Sequence, residues 1–204
     1  MPTSSLTFFI LKVFLWLPVC YWIWHYTAYE STLVTAYLTE ILLNTAFPLL
    51  ITGIEQVNTH FDIIVNITLP AAQVPQGMVA ELPISINPLI YSHGLPLGLS
   101  LILSSPFSPL KTAFNLTLYL FTSFPFQLFG ICFEFMKTLF LQTPKELTNN
   151  TILAPWQLDS IAVSYQMGSL VLPTITPIII WLFLYRDFIV QFVPSLQNMI
   201  NKSE

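Results

Sequence analysis

Apolar residues run almost unbroken from Leu6 to Tyr26, interrupted chiefly by Lys12 and Pro18. At ~1.5 Å per residue, a helix of that length crosses a hydrocarbon core of ~30 Å. Trp22, Trp24 and Tyr26 close the run, as amphipathic rings do at a membrane–water boundary. No basic stretch precedes the run and no small-x-small site follows it, so it is expected to be a retained first helix rather than a cleaved leader. Residues 29–53 are also apolar but carry Glu30, Glu40 and Asn44 and end at Pro48 and Gly53. Leu33, Val34, Tyr37, Leu38 and Ile41 recur there at helical spacing and predict a wide apolar stripe. Burying two acids in a bilayer costs ~2.5–3.5 kcal/mol each, so the segment reads as a helix on the membrane surface or against the bundle rather than a fifth span.

The period then changes to two. Phe61, Ile63, Val65, Ile67 and Leu69 alternate with polar positions, as do residues 80–87, and the stretch between them is punctuated by proline and glycine. Pro83 assigns the second strand to an edge. Two such strands are not stable alone, so they are expected to pack on the 29–53 helix or on a partner. Residues 84–98 form a junction, where the alternating segment turns through Asn87-Pro88 into an apolar run over 89–105. A third apolar run covers 112–135, with Pro125 at its centre and Gln127 and Glu134 toward its end. After a polar loop with a helix start at Pro155-Trp156, a last run covers 161–185 and includes Gly168, Pro173 and Pro177. The predicted fold is an α-helical polytopic membrane protein with four transmembrane helices, an interfacial helix and a small extracytoplasmic β-hairpin. Its segments are 1–28, 29–53, 54–88, 89–185 with an outer loop at 138–160, and a cytoplasmic tail at 186–204.

Composition supports this class. Hydrophobic residues make up 54 % of the chain, charged residues only 8 %, and the mean hydropathy is +0.71, far from a soluble average of roughly 25 % charged. The net charge of −4 contains no basic run able to track a phosphate backbone or recruit an anionic lipid surface. Nucleic acid is therefore excluded as a partner. No Lys or Arg lies between Lys12 and Lys111, whereas Glu30, Glu40, Glu55, Asp62 and Glu81 do. The positive-inside rule turns that region outward and predicts both termini cytoplasmic, with Lys111, Arg186 and Lys202 inside. Lys137 and Lys145 are then the outside basic residues.

Candidate chemistry is sparse. Cys20 and Cys132 sit in apolar runs and read as small buried residues, with no disulfide expected and no basic neighbour to activate either thiol. His25, His60 and His93 are too scattered for a metal site. His93 stands apart because it lies beside Tyr91 and Ser92 where the backbone enters the bilayer. Gly94-x-x-x-Gly98, with Pro96 inside it, predicts a loosened first turn rather than a dimer face. Glu134 and Lys137 are spaced to pair on one helix face. Pro173 and Pro177 predict a bend, with Ser169 available to a freed carbonyl. The acceptor-like tripeptides at Asn66, Asn115 and Asn149 read as chance.

Several segments, taken in order, carry a resemblance: Phe14-Leu15-Trp16-Leu17-Pro18, Asn87-Pro88-Leu89-Ile90-Tyr91, Gly94-Leu95-Pro96, Gly130-Ile131-Cys132-Phe133-Glu134, and Ala162 to Gly168 followed by Leu172-Pro173. Over nearly the whole chain this resembles the exosortase H-associated membrane protein family. The resemblance implies a bacterial inner-membrane protein that accompanies an exosortase, a cysteine transpeptidase-like membrane enzyme acting on carboxy-terminal sorting signals. It implies no catalytic residue here, since the enzyme's Cys, Arg and His belong to the partner and the single arginine, Arg186, falls on the predicted cytoplasmic side. The expected role is a non-catalytic accessory protein, without cofactor or metal, whose partners are membrane lipid, an exosortase and its sorted substrates. Asn87, Pro88, Tyr91, His93, Glu134 and Gln166 are the binding candidates. The alternative is a small membrane enzyme or lipid-handling protein with a cavity lined by Tyr91, His93 and Glu134. A channel is disfavoured because the spans lack a repeated polar face.

Overall fold

The computed structural model of the chain describes residues 3–48, 50–67, 80–106, 108–144, 153–186 and 188. In chain order these form α1 (Thr3–Tyr26), α2 (Ala28–Ala46), β1 (Ile51–Val57), β2 (His60–Ile67), β3 (Ala80–Ile86), α3 (Leu89–Ser92), α4 (Leu95–Ser104), α5 (Pro109–Lys137), α6 (Pro155–Gln166) and α7 (Leu172–Leu184). A π-helical turn at Thr138–Gln142 prolongs α5, and another at Met167–Val171 joins α6 to α7. Leu69, the 70–79 loop, Lys145, Asn149 and the tail beyond 188 lie outside the described residues. Among the described residues, three helices are long and apolar enough to cross a membrane: Leu6–Tyr26, Pro109–Gln142 and Pro155–Leu184. The predicted second span is a shorter apolar helix, Leu89–Ser104, interrupted at His93 and Gly94. The chain divides into two units, 1–26 with 94–123 and 174–204, and 27–93 with 124–173. Both changes of unit inside a long helix fall within a few residues of a proline, Pro125 or Pro173, where a backbone donor is missing.

In the first unit α1 turns a narrow seam inward. Phe9, Val13 and Leu17 are half-buried and Cys20 and Trp24 are buried, while Phe14, Leu15 and Trp22 on the other sides are about two-thirds exposed. A helix that is apolar all round yet uncovered by protein suits lipid. Helix α4 packs against α1 and buries Gly98, Ser100 and Ser104, small residues that let backbones approach. Gly98 is the seat of Tyr119 from α5: an added Cβ would fall inside the tyrosine ring. The Tyr119 hydroxyl donates to the carbonyls of Gly94 and Leu95, each at 3.3 Å. The glycine pair thus serves a contact within the chain. Trp181 of α7 donates its Nε1–H to Ser105 Oγ at 3.0 Å and stacks on Phe9, ring centroids 5.6 Å apart. Ser104, Ser105 and Ser123, all buried, each return their proton to the carbonyl four residues back, which satisfies their hydroxyls within their own helices.

In the second unit the sheet has three antiparallel strands in the order β1-β2-β3, not the two of a hairpin. The predicted 29–53 helix stops at Ala46, ahead of Pro48, and the residues after it begin β1. That strand escaped the sequence pattern because a bulge at Ile51/Gly53 breaks its alternation. Phe61, Ile63, Val65, Ile84 and Ile86 share the covered face, in one core with Ala36 and Leu43 of α2 and with Ile131, Phe135 and Leu139. Helix α2 meets β1 and β2 through small and hydroxylic residues, Ala28, Thr32, Thr35, Ala36 and Thr39. Of the predicted stripe, Leu33, Val34, Tyr37 and Ile41 are exposed, Tyr37 by 63 %, and Leu38 is half-buried, so most of the stripe lies off the contact with the sheet.

Candidate functional site

The junction is built around a turn. Asn87 Oδ1 accepts the Leu89 N–H at 3.1 Å, and its backbone carbonyl accepts the Ile90 N–H at 3.3 Å. Pro88 supplies the φ of −67° that the turn requires and costs no donor, because its N–H would have been unpaired at a helix start. The chain leaves β3 at Ile86 and is helical by Leu89, so Tyr91 is placed only five residues from the buried end of the sheet.

Tyr91 is 3 % exposed. Its ring lies on Gly130 of α5, where an added Cβ would collide with the ring carbons. Its hydroxyl donates to Glu134 Oε2 at 2.7 Å. Gly130 and Glu134 are four apart, hence one above the other on a helix face, and a tyrosine laid along that face reaches from the glycine to the carboxylate. On the other side, Gly168 of the π-helical turn is so close that an added Cβ would stand 2.6 Å from the Gly130 Cα. One glycine on each helix therefore permits a crossing with no side chain between, and Tyr91 closes it. Lys137 does not take up Glu134: its ammonium sits over the Tyr165 ring, 4.0 Å from the centroid. Acid and cation each pair with a tyrosine from another helix, α3 and α6 respectively.

The other predicted residues separate from this group. His93 is exposed, and its Nδ1 bonds the Ile90 carbonyl of its own turn at 2.8 Å, so that nitrogen carries the proton. Gln166 is exposed at the end of α6. Asn87 is half-buried and Pro88 buried, and both act on the backbone. The arrangement therefore joins Tyr91 to Glu134 and leaves His93 and Gln166 outside the pair. What it does physically is clasp: a charge-assisted hydrogen bond, typically about 1.5–3 kcal/mol, fixes the sheet-bearing segment to α5. Among the described residues no group of three His, Cys, Asp or Glu side chains could hold a metal ion. Cys20 is buried and Cys132 half-buried, both as free thiols.

Sequence reasoning grouped Tyr91 and Glu134 only as a cavity lining together with His93, and it missed Gly130 as the seat, Gly168 as its opposite, and Tyr165 as the partner of Lys137. The available signal was the Gly130/Glu134 spacing. Three of the segments that carried the resemblance, 87–91, 130–134 and 162–168, converge on this crossing.

Helices suited to a bilayer and, within the second unit, a small sheet tied to a helix by a tyrosine–carboxylate clasp define a helical membrane protein. The chain belongs to the exosortase H-associated membrane protein family, whose sequence profile matches residues 3–188. No curated protein and no solved structure matches it.

Proposed function

We propose that this chain is a non-catalytic accessory protein of an exosortase-type sorting system in the bacterial inner membrane. Leu89–Ser104 completes a set of four spans, both termini are cytoplasmic, and α2 lies in the outer membrane interface with its apolar face in lipid. The sheet and the Asn87–Tyr91 junction are then presented on the outer side, where they engage the sorting enzyme or its substrate.

The observation that carries this reading is the Tyr91–Glu134 clasp over Gly130. It fixes a small sheet to a membrane helix through a fully occupied contact, which suits a presenting surface. An extended peptide could join at a sheet edge. The Asn66 N–H reaches the Leu50 carbonyl, so the even-numbered β2 residues bond toward β1. Pro83, opposite Ile64, then turns its nitrogen to the open edge of β3, which lacks a donor there. The β1 edge has a backbone donor at both Ile54 and Gln56. The test is co-purification of the cognate exosortase with the tagged chain from native membranes. The interaction is expected to be lost on Asn87→Ala or on deletion of residues 61–69, and unchanged substrate sorting after removal of the whole protein would contradict it.

A further inference from the structure

The open face of the sheet, turned away from α2 and the core, carries three acids and no cation. Glu55 and Glu81 are exposed there and Asp62 is half-buried. Glu55 stands directly opposite Asp62, and like charges in that position destabilise a sheet. Neither carboxylate has an ion-pair partner among the described residues. The one described Lys or Arg of this unit, Lys137, lies over Tyr165 instead. Glu55 is also on an edge strand, since β1 ends the sheet order. Even-numbered β2 residues bond toward β1 and Asp62 is one of them, so Gly53, Glu55 and Val57 turn their backbone groups to β2. Ile54 and Gln56 turn theirs away from the sheet, to a side where no described strand lies.

We propose that the β1 edge binds an extended segment of a partner protein that carries Lys or Arg opposite Glu55 and an apolar residue opposite Ile54. The inference rests on the accessory reading above and names the chemistry of what docks. A strand added in the antiparallel sense of this sheet bonds to Ile54 and Gln56, which makes Glu55 and its new neighbour the closer, non-hydrogen-bonded kind of pair. The neighbour's Cβ then stands ~4.5–5.5 Å from that of Glu55, with Asp62 one strand spacing of about 5 Å further on. A long basic side chain there lies along both carboxylates and offsets a repulsion already present in the free sheet. On the opposite face, the residue beside Ile54 extends the core against which Ile54 is packed. A second copy of the sheet does not supply the counter-charge, because no Lys or Arg occurs between Lys12 and Lys111.

The test uses the full chain purified in a neutral detergent and measures, by fluorescence anisotropy, binding of the labelled peptides Thr-Val-Lys-Val-Thr, Thr-Val-Thr-Val-Thr and Thr-Val-Glu-Val-Thr. Affinity is expected to fall in the order lysine, threonine, glutamate at the central position, with the spread shrinking as salt rises. Methylating the two valine nitrogens of the lysine peptide should abolish binding, since those donors face β1. Glu55→Gln should weaken the lysine peptide roughly fivefold while raising the unfolding midpoint, so the loss is not one of folding. Asp159→Asn, at an exposed position on α6, makes the same change in net charge and should leave the affinity unchanged. No binding of the lysine peptide, equal affinity for the three peptides, binding that survives valine methylation, full affinity in Glu55→Gln, or an equal loss in Asp159→Asn would overturn the proposal. Recovery of the exosortase from native membranes is read separately. Charge-selective binding without that recovery contradicts the accessory reading alone, and recovery without charge selection contradicts this inference alone.

Discussion

Tyr91 makes three contributions with one side chain: its ring fills the space over Gly130, its hydroxyl neutralises the bonding demand of Glu134, and its backbone continues the Asn87 turn. Tyr91→Phe keeps the ring and removes the bond, which predicts a loss of about 1.5–3 kcal/mol. Gly130→Ala keeps the bond partners and places a methyl group in the ring, which predicts a loss of about 1–3 kcal/mol through overpacking. Thermal unfolding in detergent checks both, and a Tyr91→Phe midpoint equal to wild type would show that the clasp is dispensable. Thr39 offers the opposite sign. It is fully buried between α2 and the sheet, and its hydroxyl has no hydrogen-bond partner among the described residues. Thr39→Val is therefore expected to raise the melting midpoint, since it removes an unpaired polar group worth about 1–3 kcal/mol. The sequence named Tyr91, Glu134 and Asn87 because hydroxyl, carboxylate and turn residues announce themselves. It could not name Gly130 or Gly168 as contact residues, because a glycine's role in a crossing depends on what approaches it.

The principal surprise at the scale of elements is α2. Its stripe of Leu33, Val34, Tyr37, Leu38 and Ile41 was legible, but which side of the helix meets the sheet was not. Here the Thr and Ala face packs on the sheet and the large apolar face is left outward, which the interfacial placement proposed above would cover with lipid. A cysteine introduced at Tyr37 in a C20A/C132A background should react with a lipid-soluble maleimide and resist a water-soluble one. The same cysteine at Glu55, on the open face of the sheet, should show the reverse. Equal reaction of both with the water-soluble reagent would remove α2 from the membrane interface. The strand β1 was hidden by its bulge, yet it creates a direct like-charge pairing across the sheet, Glu55 opposite Asp62. Glu55→Gln is expected to stabilise the sheet slightly, more at low salt than at high, as measured by the unfolding midpoint at two ionic strengths.

For the whole molecule, the membrane class was readable from length and apolarity alone, because a bilayer imposes both on any helix that crosses it. The division into units was not. Phe9, Ser105 and Trp181 lie far apart in the chain and are brought together by the Phe9–Trp181 stack and the Trp181–Ser105 bond, contacts that no periodicity encodes. The acids, read as a single outward-facing block, prove to share one unit with the sheet and the clasp, which also carries Lys137. If the accessory reading holds, His93 and the charge of Glu134 are not needed for chemistry, and the His93→Ala, Glu134→Gln double variant should support normal sorting. Loss of sorting in a variant that still co-purifies with the enzyme would instead favour the membrane-enzyme reading.

The central claim is that the sheet and junction dock on the sorting machinery. It is tested most directly by recovering the cognate exosortase on the tagged chain from native membranes, with wild type and Asn87→Ala compared at matched expression and melting midpoint. The account predicts recovery with wild type and its loss with Asn87→Ala. Failure of wild type to retain the enzyme, or equal recovery by both, would contradict it.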